Sequence, residues 1–448
     1  MRFLAKLLCV LFVCGITVPL KAEDSPDSVL VLSLDEAINR ALAYSINLQT
    51  SRIDLDDREY ASTHLWSLVF PSINITGSVG YDYRNSLFTT APATPAASQS
   101  GGFSYSTSVG LRLQFTAGIP SRMKLLTLAY ERQLLTYENA RRQLEIAVVK
   151  EFYNLIAERE NLNQLAETLS LAERQVERHR IGRDNGLVSE TALLQSQLAV
   201  ETARYALSSA QATYSNSIGA FLISLGLPPE TPVTLEGDID VRQVDVDPEE
   251  LIRDYLPKRP DIVQQSQEIE RLELTRRQTL LDARSPSVSL SLGWAGGGNI
   301  PGAFSDSVTV SGSVALSIPI NSWIPGTSDF QTLRTAESAI EKAKLDLKNT
   351  EALAQNQIRS FTATLRNSWE SLEIARMREE LAERSYELTE RGFVSGVVES
   401  LTLETSRNNL AAARYQLLRS QLTYQNLVLD LAQAINADWR QFIIRSSP

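Results

Sequence analysis

Hydrophobic residues along this 448-residue chain recur with two different periods, and each period is used twice. The longer period is seven. Val148, Leu155, Leu162, Leu169 and Val176 mark it along 122–181, a stretch with neither proline nor glycine. At a rise of about 1.5 Å per residue, this predicts a helical rod roughly 90 Å long. A returning set follows at Leu193, Val200, Leu207, Tyr214 and Phe221, with Ala203 and Ala210 as small neighbours. A later set stands at Leu403, Leu410, Leu417, Tyr424 and Leu431. Strict sevens over such distances predict helices packed on partner helices in a supercoil. Shorter helices are expected over about 34–69, opened by Ser33 and Asp35, and over about 248–284, opened by Asp247-Pro248.

The shorter period is two. Ile73, Ile75, Val79, Tyr81 and Tyr83 alternate with Asn74, Thr76, Ser78 and Asp82. Phe103, Tyr105, Val109, Leu111, Leu113 and Phe115 alternate with Ser104, Ser106, Ser108, Arg112, Gln114 and Thr116. Val288, Leu290, Leu292 and Trp294 alternate with Ser287, Ser289 and Ser291, and Val308, Val310, Val314, Leu316 and Ile318 with Ser307, Thr309, Ser311, Ser313 and Ser317. About ten alternating residues with aromatics toward the ends is the pattern of an outer-membrane strand. A soluble hairpin with one face on a core also alternates. The opposite face favours the membrane reading: it is almost wholly Ser, Thr, Gly and Asn, which suits a water-filled interior. The loops 84–102 and 296–306 are then expected on the outer side. Four strands cannot close alone, because open edges in hydrocarbon leave backbone N–H and C=O groups unsatisfied. Three chains would supply twelve strands and close a pore.

The helical pattern is duplicated at an offset of 210 residues. Residues 171–214 set against 381–424 give 17 identities in 44 positions without a gap, where unrelated sequence gives about three. Leu171/Leu381, Glu173/Glu383, Leu193/Leu403, Arg204/Arg414, Tyr205/Tyr415 and Tyr214/Tyr424 are among them, and Gly182/Gly392 and Gly186/Gly396 match where each hairpin turns. Glycine ends a helix cheaply by taking the left-handed conformation, and Ser189 or Ser400 can cap the helix that follows. Three chains with two hairpins each make a pseudo-sixfold ring of rods. The expected organisation is a leader 1–22, an N-terminal segment and first helix 23–70, a β-hairpin 71–118, a long helical hairpin 119–226, a linker or equatorial segment 227–247, a helix 248–285, a second β-hairpin 286–320, a second long helical hairpin 321–436 and a tail 437–448.

Charge and composition narrow the address. A formal charge of −10 argues against nucleic acid, which needs a basic face. Residues 1–22 read as a secretory signal: Arg2 and Lys6, an apolar run from Leu7 to Leu20, then Lys21-Ala22. Both cysteines, Cys9 and Cys14, lie inside it, so cleavage after Ala22 leaves no thiol. In a second reading Cys14 is a lipidated first residue; bulky Val13 beside it fits that cleavage poorly.

The whole pattern resembles the TolC-like outer-membrane efflux proteins, over essentially the entire mature chain. The resemblance is carried by the duplicated tip blocks, Arg180-Ile181-Gly182-Arg183-Asp184-Asn185-Gly186-Leu187-Val188-Ser189 and Arg391-Gly392-Phe393-Val394-Ser395-Gly396-Val397-Val398-Glu399. Pro71-Ser72-Ile73, Pro286-Ser287-Val288 and Ile318-Pro319-Ile320 add to it at the strand ends. It implies a mainly α protein with a membrane β part: a homotrimer whose duplicated long helical hairpins form an α-barrel across the periplasm. Four strands per chain would enter a 12-stranded transmembrane β-barrel among outer-membrane lipid. It also implies a periplasmic adaptor (membrane fusion protein) and an inner-membrane pump as partners. The tips would dock the adaptor through Gly182, Gly186, Leu187, Val188, Ser189, Gly392, Gly396, Val397 and Val398. In the family, carboxylates six and nine residues after the second tip glycine often narrow the inner mouth. Here Thr402 and Thr405 stand there, and Ala192 and Gln195 in the first half. Glu399 and Glu404 lie close by, so the candidate constriction is Glu399, Thr402, Glu404 and Thr405.

Reactive chemistry is sparse. His64 and His179 are the only histidines, and no Gly-rich phosphate loop or His-Glu-x-x-His pattern occurs. Pairs such as Glu173-Arg174 and Glu177-Arg178 read as a solvated face. The expectation is no enzyme, no cofactor and no metal: a passive exit duct of an efflux pump or type I secretion system. The alternative is a soluble periplasmic coiled-coil scaffold, which leaves the four strands unexplained. Drugs, metal ions and secreted proteins all remain open as substrates.

Overall fold

The computed structural model describes residues 30–83, 101–237, 239, 241–300 and 308–443; the leader, with Cys9 and Cys14, lies outside them, as do residues 84–100 and 301–307. In chain order the elements are β1 (Leu30–Leu32), α1 (Leu34–Tyr44), α2 (Ile46–Thr63), β2 (Ser72–Tyr83), β3 (Gly101–Phe115), α3 (Ile119–Asp184), α4 (Glu190–Ser224), β4 (Val233–Leu235), α5 (Pro248–Tyr255), α6 (Pro260–Arg284), β5 (Ser287–Ile300), β6 (Thr309–Ser317), α7 (Ser328–Val394), α8 (Ser400–Ala434) and α9 (Arg440–Ile443). The two long rods, α3 and α7, have 66 and 67 residues, about 100 Å each.

Several boundaries differ from the sequence reading for local reasons. The single helix expected over 34–69 is two helices and a 3₁₀ turn (Leu65–Val69). Ser45 leaves helical geometry at ψ 116°, and its hydroxyl accepts from the Leu48 amide at 3.4 Å, so one serine ends α1 and caps α2. The helix expected over 248–284 is divided at Pro257 and Pro260. A 3₁₀ turn over Leu256–Lys258 separates α5 from α6, with Pro260 in the first turn of α6, where its missing N–H costs nothing. The loop expected over 296–306 begins later, because β5 continues to Ile300 paired with β3.

The segment expected over 227–247 as a linker or equatorial segment contains β4, which pairs in parallel with β1, Leu30 opposite Val233 and Leu32 opposite Leu235. This two-stranded ribbon, with α1, α5 and Trp439 from the tail, wraps the middle of the rods. There Ile146–Ala157 of α3, Ile358–Leu372 of α7, Tyr424–Ala432 of α8 and its C-cap Ile435 bury a continuous core with Leu32, Ile38, Leu235 and Leu251. The Val244 amide donates to the Tyr424 hydroxyl at 2.8 Å, pinning the segment between β4 and α5 to α8.

Above this belt the helices pack in the order α2, α3, α6, α7, and below it in the order α4, α3, α8, α7. Each row is an open arc. The sheet above them has the order β2-β3-β5-β6, antiparallel throughout, and is likewise open at β2 and β6.

Candidate functional site

The two hairpin tips are built alike from unlike sequence. Gly186 and Gly396 sit at φ +73° and +77°, and each closes a Schellman turn: the Leu187 amide donates to the Gly182 carbonyl at 2.8 Å, the Val397 amide to the Gly392 carbonyl at 3.0 Å. Gly182 and Gly392 do something else. They lie inside α3 and α7, and a Cβ at either would meet a valine methyl, Val188 Cγ2 at 2.5 Å or Val398 Cγ2 at 2.6 Å. Only the second glycine of each pair is a left-handed helix stop; the first admits the valine that folds back over it. Leu187 and Val397 are left 82% exposed at the two tips. Ser189 caps α4 by accepting from the Ala192 amide at 3.2 Å. In the second tip Glu399, not Ser400, holds the N-cap position of α8, without a side-chain cap bond.

Past the tip, Glu399, Thr402 and Thr405 are exposed and Glu404 is half-buried. Glu404 lies within electrostatic reach of Arg407, whose guanidinium is pushed below the usual arginine range by burial and by Arg178, with Glu404 and Tyr386 opposing. Of the candidate constriction residues, Glu404 thus shares its charge with an arginine. His179, expected to pack or face solvent, is buried in the seam, within 2.7 Å of Gln175 and 3.2 Å of the Ala192 carbonyl. His64 is half-buried and stacks on Tyr60. Among the described residues no His, Cys, Asp or Glu cluster could hold a metal.

Between the repeats a charged network ties α3 to α7 and α8. Arg414 reaches Glu383 at 3.1 Å, Glu379 at 3.5 Å and Glu167 at 3.7 Å. Its counterpart 210 residues earlier, Arg204, reaches Glu173, the counterpart of Glu383, at 3.7 Å.

At the other end of the rods the sheet separates its faces row by row. Ile75, Val109, Trp294 and Val310 form one apolar row, and Phe115, Val288 and Leu316 another. On the opposite face hydroxyls pair across strands: Thr76 with Ser108 at 2.6 Å, Ser78 with Ser106 at 2.8 Å, Ser291 with Ser313 at 2.6 Å. Aromatics mark both ends of the apolar face. Tyr81 packs on Phe103 far from the helices, and exposed Trp66, Phe70 and Trp323 stand near them, with the Arg284 guanidinium 4.6 Å above Trp323. Among the described residues no helix is long and apolar enough to cross a membrane. The four-stranded sheet carries the membrane face.

Strands of this kind on long duplicated hairpins define a channel subunit of the outer membrane. The chain belongs to the outer membrane efflux protein family, which matches residues 37–223 and 251–437, one block per repeat. Its location is therefore the outer membrane, its class is channel and not enzyme, and the soluble scaffold is set aside. Among solved structures, the outer membrane channel CmeC of Campylobacter jejuni is similar at a TM-score of 0.72 and 17% identity, over 95% of this chain and 93% of that one. The outer membrane protein VceC of Vibrio cholerae is similar at 0.68 and 14%, over 91% and 96%. The open state of the Neisseria gonorrhoeae MtrE channel is similar at 0.66 and 16%, over 90% and 89%. A comparison with curated proteins gives no match.

Proposed function

We propose that three copies of this chain assemble into one passive duct, which conducts solutes delivered by an inner-membrane pump through a periplasmic adaptor, out across the periplasm and outer membrane. The observation that carries the reading is that every layer of the chain ends in matching open edges. The sheet stops at β2 and β6, the upper helices at α2 and α7, the lower ones at α4 and α7. The helical edges carry exposed apolar stripes: Ile46, Ile53 and Tyr60 at strict sevens on α2, Leu194, Leu198 and Tyr205 on α4, and Ile374, Met377, Leu381 and Leu388 on α7. Heterologous edges of this kind close as a ring, and three chains bring twelve strands, enough to leave no edge in hydrocarbon.

The tips at Gly182–Ser189 and Gly392–Val398 are proposed as the adaptor-docking ends, with Leu187 and Val397 as the apolar knobs offered to the partner. The constriction is placed on Glu399, Thr402, Glu404 and Thr405, with Glu399 as its principal charge. Purification in mild detergent tests the assembly: the protein-only mass from light scattering should be three chains, and the same material should conduct ions in a planar lipid film. A monomer that does not conduct would sink the proposal.

A further inference from the structure

We infer that the lumen carries an anion-binding ring made by Arg112, one guanidinium from each of three chains, which takes polyanionic solutes; this rests on the trimeric duct proposed above. The strand register sets Ser72, Arg112, Ser291 and Ser313 in a single row across all four strands, on the polar face. Arg112 is exposed and, among the described residues, no carboxylate pairs with it. Arginines at helix contacts differ: Arg122 pairs with Asp282, Arg132 with Glu268, Arg276 with Glu337. An arginine on a face whose other described side chains are all uncharged is a free cation in the solute path.

The neighbours of Arg112 suit a guest anion. The Ser72 hydroxyl donates to the Arg112 carbonyl at 3.2 Å, holding that backbone in place. Ser291 and Ser313 share one hydrogen bond at 2.6 Å, so one of their two hydroxyl protons remains to donate into the lumen. The adjacent row is Asn74, Gly110, Gly293 and Ser311, whose two glycines leave room beside the guanidinium.

Size selects the class of guest. Twelve strands about 4.8 Å apart and tilted about 40° make a backbone cylinder roughly 24 Å across. An extended arginine reaches about 6 Å inward, so the three guanidinia stand on the order of 10 Å apart. A monovalent anion meets one of them at a time. A flexible polyphosphate or polycarboxylate can bridge two or three, each guanidinium offering paired N–H donors.

Calorimetric titration of tripolyphosphate into the detergent-solubilised trimer at low salt tests this. One tripolyphosphate should bind per three chains, with an affinity that falls at least about tenfold when salt shortens the Debye length from about 10 to 3 Å. Arg112→Gln should lose at least tenfold in affinity, and Arg112→Lys should keep most of it. A stoichiometry of none or of one per chain, or an unchanged affinity in Arg112→Gln, overturns the ring. Should Arg112→Gln fail to assemble, the wild-type stoichiometry still decides. Light-scattering mass and conductance are read on the same samples: a conducting trimer without this binding refutes the ring alone, whereas a non-conducting monomer refutes the duct.

Discussion

Gly182 and Gly186 are four residues apart and look interchangeable in sequence, yet they answer to different forces. Gly186, at φ +73°, needs its conformation and has open space where a Cβ would go. Gly182, inside α3, needs its emptiness because Val188 fills it. Alanine at Gly186 should therefore cost about 1 kcal/mol of backbone strain. Alanine at Gly182 should cost roughly 1–3 kcal/mol of overpacking. Val188→Ala removes the methyl that the new Cβ would strike, so it should rescue Gly182→Ala and leave Gly186→Ala unrelieved. Denaturation of the three single and two double variants, in two double-mutant cycles, gives the answer, and equal coupling to both glycines would defeat the distinction. Matching residues at the 210 offset reveals both glycines but not their roles, since Val188 closes on Gly182 only once the turn exists. The same limit hides a further pair. Gly226 ends α4 at φ +73° and Asn436 ends α8 at φ 56°, with equivalent Schellman bonds, Leu227 N to Leu222 O and Ala437 N to Ala432 O, both at 2.9 Å. Their separation is again 210 residues. Asparagine tolerates the left-handed region as glycine does, so the backbone repeats where the residue types differ.

At the level of elements, periods of seven and two were legible because each is enforced along tens of residues by a single face. Val200, Leu403 and Leu410 are buried in their seams as the pattern requires. The ribbon of β1 and β4 was not legible: three residues per strand give no period, and their pairing joins residue 30 to residue 233. Contacts between elements are equally silent in sequence. Arg132 of α3 meets Glu268 of α6 at 2.9 Å, and Arg271 meets the same carboxylate at 2.6 Å. The Arg271 hydrogen bond, opposed by partial burial and reinforced by the charges of Arg271 and Arg132, holds Glu268 below its usual pKa. A folded-state pKa lowered in this way stabilises the fold above the unfolded value of about 4.3 and stops doing so as pH falls through the lower folded value. Glu268→Gln should therefore lose roughly 1 kcal/mol at pH 7, a modest figure because the cluster is partly exposed. The difference from wild type should shrink as pH falls below about 4.3 and vanish only at an acidic pH beneath the lowered folded value. Melting curves at the two pH values decide it; the same deficit at both would mean that the glutamate acts by packing and not by charge.

The whole molecule is explained best by where its two repeats fail to match. Leu171 and Leu381 occupy equivalent positions, yet Leu171 is half-buried while Leu381 is 71% exposed. Leu171 lines a groove with Leu410 and Ala411 of the second repeat. The residues that would cover Leu381 by the same geometry are the counterparts of Leu410 and Ala411 in a first repeat, and within one chain they lie on the far side. A neighbouring chain would bring them. In the tyrosine pair it is the first-repeat member that is the more exposed, Tyr205 on the α4 edge at 77% against 41% for Tyr415. Pseudo-symmetry thus assigns each exposed member of a pair to the surface between chains, and each covered member to the interior of one chain. Substitution by glutamate should separate the two cases, because burying an unpaired carboxylate costs several kcal/mol wherever it is buried. Leu381→Glu should yield a chain that keeps its helical circular dichroism but fails to trimerise and conducts no ions. Leu171→Glu should damage the chain itself, lowering helix content before assembly is reached. If Leu381→Glu still forms a conducting trimer, α7 does not face the neighbouring first repeat, and the ring must close through a different pair of edges.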